Sequence, residues 1–156
     1  MIKVNSLEEA YAMQGMKTVI CDSDGIFVHI STPEEIETER KNKWRQIEAM
    51  REAKYSNGVK VGEYWFQTSA WSKINYMGAA MLGDAFPGTD WKTMSGELVW
   101  LTGQLAGQIM AAMAGQTDAI FKAAQAHKES MMASEDPSVY DFSEGWPETF
   151  GEYSET

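Results

Sequence analysis

Two aspartates that follow an apolar stretch are the residues of this chain whose type and spacing best suit chemistry. Asp22 and Asp24 come directly after Thr18–Cys21 and are followed by Gly25. Carboxylates can hold a magnesium ion, and one of them can act as a nucleophile or a general acid. The same residues are also typical of a tight hairpin turn, because Asp and Gly tolerate turn dihedrals. The motif therefore has a catalytic and a purely structural interpretation.

The Asp22-Ser23-Asp24-Gly25 motif resembles the first motif of haloacid-dehalogenase-type phosphatases. That resemblance implies Asp22 as the nucleophile, Asp24 as the general acid and magnesium held by both. However, Ile26 stands where that family prefers threonine, and the chain lacks the repeated strand–helix–strand units of that fold. A calcium-binding EF-hand loop is not indicated either, because the apolar Ile26 would occupy one of its ligand positions. We favour the turn and keep the magnesium-dependent phosphatase as the least favoured alternative.

No other set of residues in the sequence indicates catalysis or metal binding. His29 and His127 are the two histidines, and neither has a second histidine or a cysteine at metal-ligand spacing. We expect His127 to be a half-buried helix residue. A Ser-His-Asp arrangement forms only in the fold, and no G-x-S-x-G motif supports one here. The sequence predicts a protein that is not an enzyme, without cofactor, metal or small-molecule substrate.

The composition limits the classes of protein to which this chain can belong. A chain of 156 residues, 44% of them hydrophobic, is long enough to bury a core in one domain with appendages. Cys21 is the only cysteine, so an internal disulfide is excluded. Residues 1–10 are too polar for a signal peptide, and no apolar run approaches the ~20 residues that cross a bilayer. We expect a soluble protein made in a reducing cytoplasm, without a membrane partner.

The charge of the chain is concentrated at its C-terminal end. The formal net charge is −10, and seven of the 23 acidic residues follow Ala133, where there is no Lys or Arg. Binding to the phosphates of nucleic acids requires basic patches, which such a chain lacks. Nucleic-acid binding is therefore not expected.

The order of the predicted elements is typical of an α+β fold with antiparallel strand pairs and segregated helices. Helical spacing indicates a long N-terminal helix and a long C-terminal helix. Between them, two antiparallel β-hairpins flank a short helix, and both hairpins can belong to one sheet. The chain is expected to begin with an N-terminal arm that contains a short hairpin (1–31), followed by a helix (32–57). An α+β domain (58–133) and an extended acidic, aromatic tail (134–156) complete it.

The helix over 32–57 has a clear start and a narrow apolar stripe. Thr32, Pro33 and Glu35 form the pattern of a capping box with proline at the first helical position. A narrow stripe suits packing along one seam against the same helix of another subunit. We therefore predict a homo-oligomer, with Trp44 and Ile47 among the partner-binding residues.

Within 58–133, Trp65 and Trp91 are expected in the core. The short helix carries large apolar residues at helical spacing, namely Trp71, Ile74, Met77 and Met81. The last helix has a face of small residues that includes Gly103 and Gly107. Such a face permits either close packing inside the domain or a subunit interface, and the sequence leaves both open.

The tail over 134–156 combines acidic and aromatic residues. Its prolines and glycines prevent a continuous helix, and alone it cannot bury enough apolar surface to offset its ordering entropy. Large aromatic residues are frequent interface anchors. We predict a docking strap on a partner subunit, the alternative being a tail that folds back on its own domain. Its predicted partner-binding residues are Tyr140, Phe142, Trp146, Phe150 and Tyr153.

Residues from Gly58 to Ala133 resemble a domain of uncharacterised function that recurs in tailed bacteriophages and prophages, often in small proteins near tail-fibre genes. The residues that carry this resemblance are Gly58-Val59-x-Val61, Gly62, Trp65-Phe66-Gln67-Thr68, Ser72, Trp91-Lys92-Thr93-x-x-Gly96 and Val99-x-Leu101-Thr102. The resemblance implies a non-enzymatic phage protein that binds tail-fibre or baseplate proteins. It would be a virion component or an assembly chaperone, located in the tail or in the host cytoplasm. An acidic inhibitor that mimics DNA is a further alternative.

Overall fold

The computed structural model describes residues 1–13 and 16–151, apart from the side chains of residues 16–18 and 22. Tyr153, one of the predicted partner-binding residues, lies outside the described residues. Helices combine with several small antiparallel sheets, and the last helix is long, so the α+β class and the long C-terminal helix are confirmed. In the part of the chain that the structure describes, no helix is long and apolar enough to cross a membrane.

Two compact units can be distinguished by their internal contacts. Unit 1 comprises Met1–Gln46 and Lys128–Asp141, and unit 2 comprises Ile47–His127 and the chain from Phe142. Each unit has its own cluster of buried apolar side chains. The two units are therefore described separately.

Unit 1 begins with three strands and a short helix, β1 (Ile2–Val4), α1 (Leu7–Tyr11), β2 (Met16–Asp22) and β3 (Gly25–Ile30). The strands form one antiparallel sheet in the order β1-β3-β2. Buried Val4, Ala10 and Val28 make a small apolar core. The hairpin of β2 and β3 was predicted, whereas β1 was not, because three residues are too few to carry a recognisable alternation.

The aspartate motif forms the turn between β2 and β3. Asp22 and Gly25 are paired residues at the end of this hairpin, and Gly25 has a φ of 131°. A residue with a Cβ rarely adopts such a φ, so glycine suits the position. The structural interpretation of the motif, a hairpin turn, therefore describes the backbone of these residues.

The helix α2 (Pro33–Ser56) starts with the predicted capping box. The Glu35 N–H donates to Thr32 Oγ1 at 3.2 Å, and the Thr32 N–H donates to Glu35 Oε2 at 2.9 Å. These reciprocal bonds satisfy two backbone N–H groups that the first helical turn leaves without partners. After α2, Gly58 adopts a φ of 81°, which redirects the chain into the first strand of unit 2.

Unit 2 contains two hairpins, a short helix and the long helix as far as His127. The elements follow in the order β4 (Val59–Val61), β5 (Tyr64–Phe66), α3 (Ala70–Leu82), β6 (Thr89–Lys92), β7 (Leu98–Leu101) and α4 (Gly103–Ala133). The two hairpins form separate two-stranded sheets rather than the single sheet that the sequence allowed. The Met94 N–H donates to the Trp65 carbonyl at 2.9 Å, beyond the end of β6. This bond connects the two hairpins without extending either ladder.

The core of unit 2 lies between α3, α4 and the inner faces of the hairpins. Phe66, Tyr76, Leu101 and Ile109 are among its buried members. At the start of α4, a Cβ on Gly103 would collide with the backbone of Gly83. The small residue at this position therefore serves close packing inside unit 2.

The chain after α4 returns to unit 2. A 3₁₀ turn at Pro137–Val139 precedes the segment 142–151, which we call the C-terminal strap. Its Phe150 N–H donates to the Asn57 carbonyl at 2.9 Å, and Thr149 is completely buried. The C-terminal strap thus packs against its own chain, which is the alternative that the sequence left open.

Candidate protein-binding surface

The helix α3 has an inner and an outer face, and both are apolar. It is capped by Ser69, whose side chain accepts the Ser72 N–H at 3.1 Å. Its inner face buries Tyr76 and Ala79 in the core of unit 2. The opposite face carries large apolar residues at the spacing of three and four that aligns side chains along a helix.

These outer residues are exposed to solvent, and we call them the α3 face: Trp71 (68% exposed), Ile74 (63%), Met77 (48%), Met81 (82%) and Leu82 (56%). Together they leave on the order of 500 Å² of apolar surface in contact with water. The largest apolar patch on a typical monomer has a similar size, and patches of this size are frequently binding sites. The α3 face is therefore a candidate binding surface.

Trp71 is fixed in place by a chain of aromatic contacts that reaches the core. Its ring stacks on Trp91 with centroids 5.9 Å apart and planes inclined by 19°. The ring centroids of Trp91 and Tyr76 are 4.9 Å apart. Tyr76 in turn makes an edge contact with Phe66, with 6.4 Å between the ring centroids. An exposed tryptophan held in this way is already ordered before a partner arrives.

Gln67 fixes the orientation of the inner aromatic rings. Its Oε1 accepts from Trp91 Nε1 at 2.9 Å and from the Tyr76 hydroxyl at 3.4 Å, and its Nε2 donates to the Lys92 carbonyl at 2.7 Å. Burial raises the pKa of Tyr76 to about 12, and hydrogen bonds to Trp91 and Ser72 offset this only in part. At neutral pH the hydroxyl therefore stays protonated and can donate to Gln67.

A second group of exposed apolar side chains lies on the outer side of the β6–β7 hairpin. Leu98 and Trp100 are both exposed, and they alternate with the inward-facing Val99 and Leu101. A Cβ on Gly88 would come within 2.5 Å of the Trp100 indole nitrogen, so the indole lies directly over this glycine. The surface of unit 2 thus presents two ordered tryptophans, Trp71 and Trp100.

The predicted partner-binding residues of α2 differ in their surroundings. Trp44 is half-buried, and the Lys128 ammonium lies 4.6 Å from the centre of its ring. Ile47 is 0% exposed. It is the one apolar residue of α2 that is fully buried, and its role as a partner contact stays a prediction.

The predicted aromatic residues of the tail make contacts within the chain. Trp146 stacks on His127 with centroids 5.0 Å apart, and Phe142 meets the same imidazole edge-on at 6.5 Å. Phe150 makes an edge contact with Trp65 at 6.2 Å. Tyr140 is half-buried next to the 3₁₀ turn. These residues keep part of their surface exposed, so their role as partner contacts stays a prediction.

Of the residues first considered for chemistry, the side chain of Asp22 lies outside the described part of the chain, and the others are placed as follows. Asp24 is exposed at its turn, and His29 lies 3.3 Å from Glu35, the residue of the capping box. His127 is half-buried, as predicted. Among the described residues, no group of three or more His, Cys, Asp or Glu side chains is placed to hold a metal ion.

Sequence reasoning recognised the spacing of the apolar residues of α3 but not their exposure. The available signal was that this helix has no polar side: its one charged residue is Lys73. A helix that is apolar all round is usually buried on all sides. Here only one side is buried by the chain itself, and the other side is exposed to solvent.

Comparison with known protein families identifies a domain in this chain. A family model described as a domain of unknown function (DUF4376) matches residues 38–144, which is more than half of the chain. This range is wider than the Gly58–Ala133 region of the sequence resemblance and includes most of α2. Neither the curated proteins nor the solved structures contain a match to the chain.

Proposed function

The chain belongs to the DUF4376 family, and we propose that it is a non-enzymatic protein that acts by binding another protein through the α3 face. The observation that carries this proposal is the exposure of five large apolar residues on one side of a short helix. Burying a large apolar side chain is worth about 1.5–3 kcal/mol, so covering this face supplies a strong driving force for association.

The proposed setting is the assembly of a phage tail, with tail-fibre or baseplate proteins as partners. This part of the proposal rests on the sequence resemblance alone. Within it, the protein is either a component of the virion or a chaperone of fibre assembly. Mass spectrometry of purified virions separates these two roles, because only a virion component is found there at a stoichiometric copy number.

The experiment that tests the function is complementation of a phage or prophage from which the coding sequence has been deleted. The Ile74→Glu variant places a carboxylate in the centre of the α3 face, where the side chain is 63% exposed and the fold does not need it. The matched control is Phe121→Glu, which also introduces a carboxylate in place of an exposed apolar side chain, but on α4. Circular dichroism checks that both variants are folded.

We expect the wild type and the Phe121→Glu variant to restore the yield of infectious tailed particles, and the Ile74→Glu variant to fail. Full complementation by the Ile74→Glu variant would show that the α3 face is not the working surface. If deletion of the coding sequence leaves the particle yield unchanged, the proposed role in the tail is wrong.

A further inference from the structure

The α3 face has features that select one kind of occupant, and we infer that a second copy of this chain covers it in an antiparallel helix pair. This inference rests on the proposed function and names the protein that binds the α3 face; tail-fibre or baseplate proteins would then contact other surfaces of the dimer. Three properties of the surface support it: its charge, its shape at Gly78 and its area.

The first property is electrostatic. Each copy carries a net charge of −10, so the repulsion between two copies is smallest when they meet at a surface with few carboxylates. The chain has no acidic residue between Glu63 and Asp84, a range that contains the whole of α3. The helix α3 itself thus adds no carboxylate to the α3 face, and Asp90, from β6, lies beside Trp71 at its edge.

The second property is a gap in the middle of the α3 face. Gly78 is exposed between Ile74 and Met81, and a Cβ added there would meet nothing within 4 Å. Another helix can therefore approach the α3 backbone closely at this point. In an antiparallel pair that crosses between Met77 and Gly78, Ile74 of one chain faces the partner subunit's Met81.

In the same arrangement, Met77 of each chain lies over the partner subunit's Gly78. The flexible methionine side chain then fills the space that glycine leaves open. Such a two-fold contact is self-complementary, because each surface supplies both the projecting side chain and the gap that receives it. The positions of Met77 and Gly78 next to each other thus favour a partner that is identical to the chain itself.

The third property is area. Trp71 to Leu82 spans about 17 Å along the helix, and two copies of the α3 face together remove roughly 1,000 Å² of apolar surface from water. Specific interfaces begin at about this size when flanking atoms are included. A reversible dimer is therefore expected rather than an obligate one.

The experiment that tests this inference is disulfide cross-linking in solution. In a Cys21→Ser background, the Gly78→Cys and Gly115→Cys variants each carry one thiol on an exposed helical position. Gly115 is the matched control, because it also meets nothing within 4 Å and lies on α4. Diamide oxidises two thiols to one disulfide, which requires Cα atoms less than about 7 Å apart.

A second measurement is sedimentation over a range of concentrations. The Gly78→Leu variant fills the gap at the crossing point, and Gly115→Leu makes the same change elsewhere; leucine favours a helix more than glycine does, so both should fold. We expect wild type and Gly115→Leu to dimerise, and Gly78→Leu to raise the dimer dissociation constant at least tenfold. The Gly78→Cys variant should cross-link at low concentration and the Gly115→Cys variant should not.

The inference is overturned if the wild type is a monomer at all concentrations, or if the Gly78→Leu variant dimerises as well as the wild type. A monomeric wild type whose Ile74→Glu variant still fails to complement the phage would refute the dimer and leave the proposed function standing, with a different protein on the α3 face. A dimer that Gly78→Leu weakens, combined with full complementation by Ile74→Glu, would support the dimer and refute the proposed function.

Discussion

Replacing Phe150 by alanine tests whether the C-terminal strap belongs to the fold of unit 2. Phe150 is half-buried, and its ring makes an edge contact with Trp65 at 6.2 Å. Trp65 itself is buried, so removal of the Phe150 ring exposes part of the indole to water. The perturbation therefore removes an aromatic pair and opens one edge of unit 2.

The expected loss of stability follows from the burial of this ring. Truncation of a fully buried phenylalanine to alanine costs 3–5 kcal/mol, so a half-buried one should cost about 2 kcal/mol. An aromatic edge contact accounts for roughly 1 kcal/mol of this amount. The free energy of unfolding falls by about 2 kcal/mol for each molar of urea, so the urea concentration at the midpoint of unfolding should fall by about 1 M.

Urea denaturation monitored by tryptophan fluorescence measures this change, and Val139→Ala is its control. Val139 lies in the same tail but is 75% exposed, so its truncation should change the free energy of unfolding by less than about 0.5 kcal/mol. An equally small effect of Phe150→Ala would refute the reasoning. The strap would then contribute nothing to unit 2, and its aromatic residues would be free for a partner, as the docking-strap prediction requires.

Two further predictions concern the interior of unit 2. Gly103→Ala should destabilise the protein by about 1–3 kcal/mol in thermal denaturation, because its Cβ collides with the Gly83 backbone. Gly107→Ala, where a Cβ meets nothing within 4 Å, should be neutral or slightly stabilising. The raised pKa of Tyr76, about 12 against 10.0, predicts that this tyrosine leaves the stability unchanged well below pH 10 and lowers it by about 2 kcal/mol as the pH rises to 12, because the unfolded state ionises first. Tyr76→Phe should remove this alkaline loss in urea titrations at pH 8 to 11, and an unchanged slope would contradict the assignment.

The features predicted correctly from the sequence depend on neighbouring residues. The capping box of Thr32 and Glu35 is contained in four residues, and the hairpin turn at Asp22 to Gly25 also lies within four. Side-chain chemistry and backbone preference act over this distance, so the sequence alone suffices.

The features that were missed depend on contacts between distant parts of the chain. Tyr76 and Trp71 are both large aromatic residues of α3, yet Tyr76 is buried and Trp71 is exposed because they lie on opposite sides of the helix. Ile47 belongs to the narrow apolar stripe of α2 and is fully buried, which the stripe alone does not predict. Whether an apolar residue is buried by its own chain is decided by distant elements, which the spacing of residues along one helix does not identify.

The aromatic contacts of unit 2 also bear on how strongly the α3 face can bind. Association costs free energy for every side chain that has to be ordered, typically about 0.5–1.5 kcal/mol for a flexible one. Trp71 is already stacked on Trp91, which Gln67 holds by a hydrogen bond, so its ordering precedes binding. Met81, at the other end of the face, is 82% exposed and has to be ordered when a partner arrives. The anchoring contribution is therefore expected at Trp71, while Met81 adapts its shape to whichever molecule covers the helix.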